Sequence, residues 1–347
     1  MVLAQAQWEK IMRRLSFICF GLAACVATVL FPAPALHAAD KIKLPYSPIG
    51  WESLAWFVGK EGGYYEKYGL DVDMFFQGAS SEIIQAMLAG DANFAGIAGP
   101  AIISNVIGGG DVVQVAALVK TFTIPLYSQP SIKTLADLKG QKVGVSRFGA
   151  VTHITAMSVL EKAGIAKDVT IVQTGGISES AAALSSGAIA AATVLPPQSL
   201  MLKEKGFREL VGLKELKQLN IPFVENGLAV RRSFASKNPD LVKRFMKASF
   251  EGLKRVFEDK NFTMKVLGQY TKITDPKLLE DSYEWASAAF VKDPRIPPEA
   301  EKALVDQMVK LKMVDAAAAA KTPTTAYYDN QYVEALEKEG FLKKLWP

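Results

Sequence analysis

Cysteine is nearly absent from this chain. Two occur among 347 residues, Cys19 and Cys25, and both sit in an apolar N-terminal run. Without that run the protein has no thiol nucleophile and no thiolate metal ligand. Histidine is as scarce. His37 belongs to the same N-terminal region, which leaves His153 and excludes a zinc site built from several His and Cys ligands. Charge of one sign is not concentrated either. The formal net charge is +5 and no Lys/Arg block forms a nucleic-acid footprint. Paired carboxylates at motif spacing, a G-x-S-x-G elbow and a P-loop lysine are all missing. Gly108-Gly109-Gly110 follows a helical pattern instead of opening one, so it is no dinucleotide loop. These absences lead away from catalysis and imply no metal and no cofactor.

What the N-terminus has is a leader. Met12-Arg13-Arg14 is a short basic start, Leu15–Phe31 is almost wholly apolar, and Pro32–Ala39 supplies small residues. That order predicts a secretory signal peptide over residues 1–38, cut after Ala38, with Leu36 and Ala38 at the positions read by the peptidase. The true start is Met1 or Met12. A lipobox, Leu22-Ala23-Ala24-Cys25, offers an alternative in which Cys25 is lipidated and anchors the protein to a membrane. Large exported domains need no disulfide, so the absence of cysteine beyond the leader fits export. The remaining chain of about 300 residues is long enough for two domains.

Strands and helices then alternate, as a mostly parallel sheet covered by helices requires. Lys41–Tyr46 reads as a strand, Leu54–Tyr68 as a helix stopped by Gly69, and Leu70–Phe76 as a strand. Ser80–Ala89 is a helix stopped by Gly90, followed by a strand over Asn93–Ala98, a helix from Pro100 to Ile107 and a buried strand over Val112–Lys120. The order restarts with strand Lys142–Ser146, helix Thr152–Ala163, strand Val169–Gln173, helix Glu179–Ser186 and strand Ala190–Leu195. Specific residues recur in step: SEIIQAMLAGDANFAGIAGP over Ser81–Pro100 is echoed by SESAAALSSGAIAAATVLPP over Ser178–Pro197. Lys43–Gly50 pairs with Lys142–Gly149 in the same way, and Gly78 with Gly175. Two halves of one βαβαβ design follow. Beyond them the chain reads as helical. Asn238-Pro239-Asp240 predicts a capped helix start, and Asn330–Leu345 a last amphipathic helix.

Ligands of such sheets bind outside the carboxyl ends of the strands. Those ends carry Ser47-Pro48-Ile49-Gly50, Gly78-Ala79-Ser80, Gly99-Pro100, Ser146-Arg147-Phe148-Gly149 and Thr174-Gly175-Gly176, all leading into helices whose free N–H groups attract anions. Arg147 is the one cation in such a loop of the second half and is expected to clamp an acid group. Trp51, Phe122, Phe148 and Tyr46 are candidate apolar walls. Thr152 and His153 stand at a helix start, Pro197 closes the echo, and Glu225 lies in an extended stretch, Pro222–Val230, that crosses back between the halves. The expected ligand-binding set is therefore Ser47, Gly50, Trp51, Gly78, Ser80, Gly99, Pro100, Phe122, Ser146, Arg147, Phe148, Thr152, His153, Gly176, Pro197 and Glu225.

From Lys41 to Phe257 the chain resembles the solute-binding proteins of ABC importers, in the nitrate/sulfonate/taurine group that also includes binders of a thiamine pyrimidine precursor. The resemblance is carried by VGKEGGYYEKYGLDV over Val58–Val72, AMLAGDANF over Ala86–Phe94, LADLKGQKVGV over Leu135–Val145 and ALSSG over Ala183–Gly187. It implies an α/β, two-domain Venus-flytrap fold with two chain crossings. Domain one would be residues 40–122 plus 228–347, and domain two residues 123–227. It also implies a monomeric periplasmic protein without enzymatic activity, which closes on a small organic anion such as a sulfonate or carboxylate. The protein would deliver that ligand to a membrane permease and its ATPase. The alternative ligand is a pyrimidine-type precursor, stacked on aromatics with Glu225 at its amino group. An enzyme of thiamine-pyrimidine synthesis shares the fold but uses a cysteine-rich motif that the chain lacks beyond its leader.

Overall fold

The computed structural model describes residues 38–347 except Asn220; the leader expectations, including lipidation at Cys25, fall on residues outside that range. Among the described residues ten strands form two five-stranded sheets. The first contains β1 (Asp40–Tyr46), β2 (Leu70–Phe76), β3 (Phe94–Ile97), β4 (Val112–Val119) and β10 (Asn226–Arg231), in the order β2-β1-β3-β10-β4. The second contains β5 (Leu126–Ser128), β6 (Lys142–Val145), β7 (Thr170–Gln173), β8 (Ala191–Thr193) and β9 (Arg208–Val211), in the order β7-β6-β8-β5-β9.

The two orders match strand for strand. In each sheet the first three strands are parallel, and the fourth runs antiparallel to both its neighbours. That fourth strand is exchanged. β5 follows the first sheet in sequence and enters the second, while β10 follows the second and returns to the first. The sequence echo lies on equivalent pieces: helix Ser80–Ala89 leads to β3, and helix Ile177–Ser185 leads to β8. Both helices end before a glycine in the left-handed region, Gly90 at φ +87 and Gly187 at φ +78, where a side chain would be strained.

β4 is buried at every residue, which explains its unbroken apolar run. It is nevertheless an edge strand. Loops cover its open side: Gln114 N–H donates to Tyr327 O (3.0 Å), Ala117 N–H to Pro294 O (2.8 Å), and Val291 N–H to Leu118 O (2.9 Å). An uncovered edge would pair with another chain. The long helix Pro239–Glu258 packs on helix Leu54–Glu61, and Phe245 stacks between Tyr65 and Phe94 at 5.4 and 4.5 Å.

Several local expectations change. The helix expected over Leu54–Tyr68 is two helices, Leu54–Glu61 and Tyr64–Lys67, parted at Gly62-Gly63. The last helix breaks at Gly340 into Gln331–Lys338 and Phe341–Leu345. Asn238 does not cap its helix; its side-chain amide donates to Phe234 O (2.9 Å) of the preceding turn. β5 and β9 were not expected; they pair with each other, and β5 with β8, through long-range antiparallel contacts.

One buried acid stands apart from these elements. Glu301 is 1% exposed and its Oε1 has no hydrogen-bond partner. Burial pushes it up to about 7. An unfolded chain ionises this carboxyl near its ordinary value of about 4.3. Between that value and about 7 the unfolded state releases a proton that the folded state keeps, so stability falls as pH rises through this window. Glu301→Gln is expected to melt about 2 °C or more above the parent near pH 8, with the difference closing toward about pH 4.

Candidate functional site

The carboxyl ends of the strands in both sheets meet around one cavity of about 50 Å³. From the first sheet come Ser47 and Pro48 after β1, Gly78 to Ser80 after β2, and Ala98 after β3. The second sheet supplies Ser146 and Ala150 to Thr152 after β6, Ile177 after β7 and Leu195 after β8. The crossings add Ile124, Glu225 and Asn226, and the short turn Trp51–Ser53 adds Glu52. Organic-ligand pockets typically measure ~300–1,000 Å³. The enclosed space fits a few waters, so any larger ligand requires the two sheets to part.

Six expected residues line this cavity: Ser47, Gly78, Ser80, Ser146, Thr152 and Glu225. Ser146 and Thr152 hold each other, with 2.7 Å between their hydroxyls and Ser146 N–H donating to Thr152 Oγ1 at 3.1 Å. Gly50 and Pro197 meet across the sheets beside it. A Cβ on Gly50 would sit 3.2 Å from Pro196 O and 3.7 Å from the Pro197 ring. Gly99 is pressed against the return crossing, with Val224 O at 2.7 Å from where its Cβ would be, and Pro100 is buried behind it. Gly176 is the residue before helix Ile177–Ser185.

The expected aromatic walls stand elsewhere. Trp51 is fully buried and meets Phe290 edge-on at 5.4 Å. Phe122 stacks on Phe223 at 4.1 Å, joining the two crossings. Tyr46 packs on Phe57 at 5.0 Å. Phe148 is 54% exposed. It borders an adjoining open groove of about 730 Å³, which shares Ser80 and Ala150 with the cavity, together with His153, whose ring lies 5.2 Å away. Burial drives His153 down to about 4, so it is neutral at pH 7, and its Nδ1 accepts from Gly149 N–H at 3.2 Å.

Arg147 is not free to clamp an acid group. Its Nη2 lies 2.7 Å from Glu82 Oε1, and Glu82 Oε2 accepts from Gly78 N–H at 2.9 Å. Arg147 follows β6 and Glu82 lies in the helix after β2, so this pair spans the two sheets at the cavity rim.

Sequence reading missed Glu52. It is 7% exposed, and the Glu225 beside it 1%. Burial raises both carboxyls. Glu52 is held well above its ordinary value, next by the charge of Glu225 and by the hydrogen bond between them. Glu225 reaches about 7, held back by the Thr123 hydroxyl and the Thr123 N–H, the latter 2.6 Å from Oε2. Thr123 therefore favours the ionised form of Glu225. No Lys, Arg or His lines the cavity. Among the described residues no group of three or more His, Cys, Asp or Glu is placed to hold a metal ion. An acid just after Gly50-Trp51 reads as an ordinary exposed helix-start charge, and only the fold brings it to Glu225.

A family model described as NMT1/THI5 like matches residues 52–261. A Brucella abortus protein named as a binding protein is 28% identical over 241 residues, 68% of this chain and 72% of that protein. The riboflavin-binding protein RibY of Chloroflexus aurantiacus is 25% identical over 204 residues, 57% of each chain. The alkanesulfonate-binding protein SsuA from Xanthomonas axonopodis pv. citri, solved bound to MOPS, superposes with a TM-score of 0.71 at 16% identity, covering 84% of this chain and 99% of that one. The chain belongs to the NMT1/THI5-like family and has the fold of the periplasmic binding proteins that serve ABC importers.

Proposed function

We propose that this protein is the exported solute-binding component of an ABC importer, and that its ligand is a small nitrogen heterocycle or amine presenting N–H donors. One observation carries the ligand class: the cavity holds two carboxyls and no cation. An anion entering there meets like charge, and Arg147, expected to attract it, is paired with Glu82. A ligand amino or amidine edge instead gives both carboxyls a donor. Ser47, Ser80, Ser146 and Asn226 supply further polar contacts, and Ile124, Ile177 and Leu195 the apolar wall.

The two lobes of this reading are residues 40–122 with 228–347, and residues 123–227. The Phe122–Phe223 stack joins the crossings, and closure is a hinge motion about them. The closed protein delivers its ligand to a permease with its ATPase, and no chemistry is required of it.

A second reading keeps the organic anion. The helices starting at Ser80, Val151 and Ile177 open at the cavity with no side-chain hydrogen bond from their N-cap residues, and free N–H groups there favour negative charge. A thermal-shift screen separates the two. A ligand at about 100 times its Kd stabilises by about 2.7 kcal/mol. Aminopyrimidines and amidines are expected to raise the melting temperature, and alkylsulfonates and carboxylates to leave it unmoved; the reverse pattern defeats the proposal. Arg147→Met supplies a second check. The pair it breaks is part-exposed and worth at most about 1 kcal/mol, so affinity for the ligand found is expected to change by no more than about fivefold. A direct clamp on an acid group would cost more.

A further inference from the structure

Two buried carboxyls lining one cavity disfavour being charged together without a counter-ion, because like charges repel and burial strips most of their hydration. No counter-ion lines this one. Three basic side chains on the elements around it do not supply one. Lys120 pairs with Asp293 at 3.2 Å, Arg147 with Glu82 at 2.7 Å, and His153 borders the open groove. The asymmetry of the pair is set by Thr123, whose N–H and hydroxyl both donate to Glu225. Glu225 thus has its oxygens occupied as a carboxylate should, whereas the remaining partner of Glu52 is Glu225 itself.

We infer that Glu52 and Glu225 share one proton while the cavity holds no cation, with Glu52 as its carrier, and that a ligand nitrogen cation displaces that proton to solvent on binding. The only bonds that change are O–H bonds, because a proton alone is transferred. The O–H of Glu52 loses its proton to water, and the ligand N–H groups take its place between the two carboxylates. Capture is then linked to pH: the ligand competes with a proton, so affinity falls as pH drops and levels off once the pair has lost its proton without help. The inference rests on the reading of this cavity as the ligand site, and it adds to that reading a proton released per ligand bound.

Two measurements test it, and the first needs no ligand. Carbon-13 NMR of glutamate-labelled protein follows the carboxyls as pH is raised. The expected result is two separated titration steps for the pair, with the upper step gone in Glu225→Gln and Glu52 titrating lower there. If Glu52 titrates at the same pH in both proteins, the carboxyls are merely buried and the shared proton is wrong. The second measurement is calorimetric titration with benzamidinium, a cation throughout the range, in buffers of different ionisation enthalpy. Affinity is expected to rise with pH, by up to about tenfold per unit, until the pair loses its proton unaided, with up to one proton released, and the rise is expected to become shallower in Glu52→Gln. An unchanged slope in Glu52→Gln overturns the displacement step. Failure of benzamidinium to bind at any pH overturns that step and the nitrogen-ligand class together, while the NMR result still decides whether the proton is shared.

Discussion

Phe122→Ala is expected to destabilise the ligand-free protein by about 3–5 kcal/mol, the range for truncating a buried phenylalanine. The ring is 1% exposed and lies nearly parallel to Phe223, 15° apart with centroids at 4.1 Å. These two residues sit on opposite crossings, one ahead of Thr123 and the other two before Glu225. Removing the ring leaves a void where the crossings touch, and the Thr123–Glu225 hydrogen bonds lose their support. Phe122→Leu keeps most of the volume and is expected to cost about 1.5 kcal/mol or less. Thermal or denaturant melts of the ligand-free variants provide the measurement. A ligand-wall role gives the opposite signature: an unchanged melt without ligand and a lost shift with it.

Phe122 also shows how far the sequence could be read. Alternating strand and helix patterns located β1, β2, β4 and the helix Ser80–Ala89 to within a residue or two, because long apolar periods and glycine stops are local signals. The echo between Ser81–Pro100 and Ser178–Pro197 exposed the duplicated design. The exchange of β5 and β10 between sheets was invisible, since pairing partners are set by long-range register and not by pattern. The site was partly legible for the same reason. That Ser47, Gly78, Ser80, Ser146 and Thr152 line the cavity could be read ahead, because strand-end loops of small residues are local features. Trp51 and Phe122 were placed at the ligand because an aromatic near a loop looks alike whether it faces core or cleft. Arg147 looked free because its partner, Glu82, lies on another element far away in sequence. Glu52 was overlooked because its chemistry arises only when Glu225 returns beside it.

Gly227→Ala is expected to be about as damaging, through backbone and not cavity. Gly227 lies in β10, between Ile97 of β3 and Ala117 of β4, where the pairing with β4 shifts register after Asn226. A Cβ there would fall 2.0 Å from Ala116 O and 2.5 Å from the Gln114 amide nitrogen. The Gln114 side chain can rotate; the Ala116 carbonyl belongs to a buried strand and cannot retreat without breaking the ladder. One added methyl group therefore forces β10 away from β4, at the upper end of overpacking penalties, about 3 kcal/mol or more. The melting temperature should fall by about 6 °C or more. The displacement also reaches the cavity, because Asn226 and Glu225 immediately precede Gly227. Gly227→Ala should for that reason weaken ligand capture as well as stability, whereas Glu301→Gln, outside the cavity lining, should change stability alone. Equal ligand affinity in Gly227→Ala and the parent would show that β10 does not set the position of Glu225.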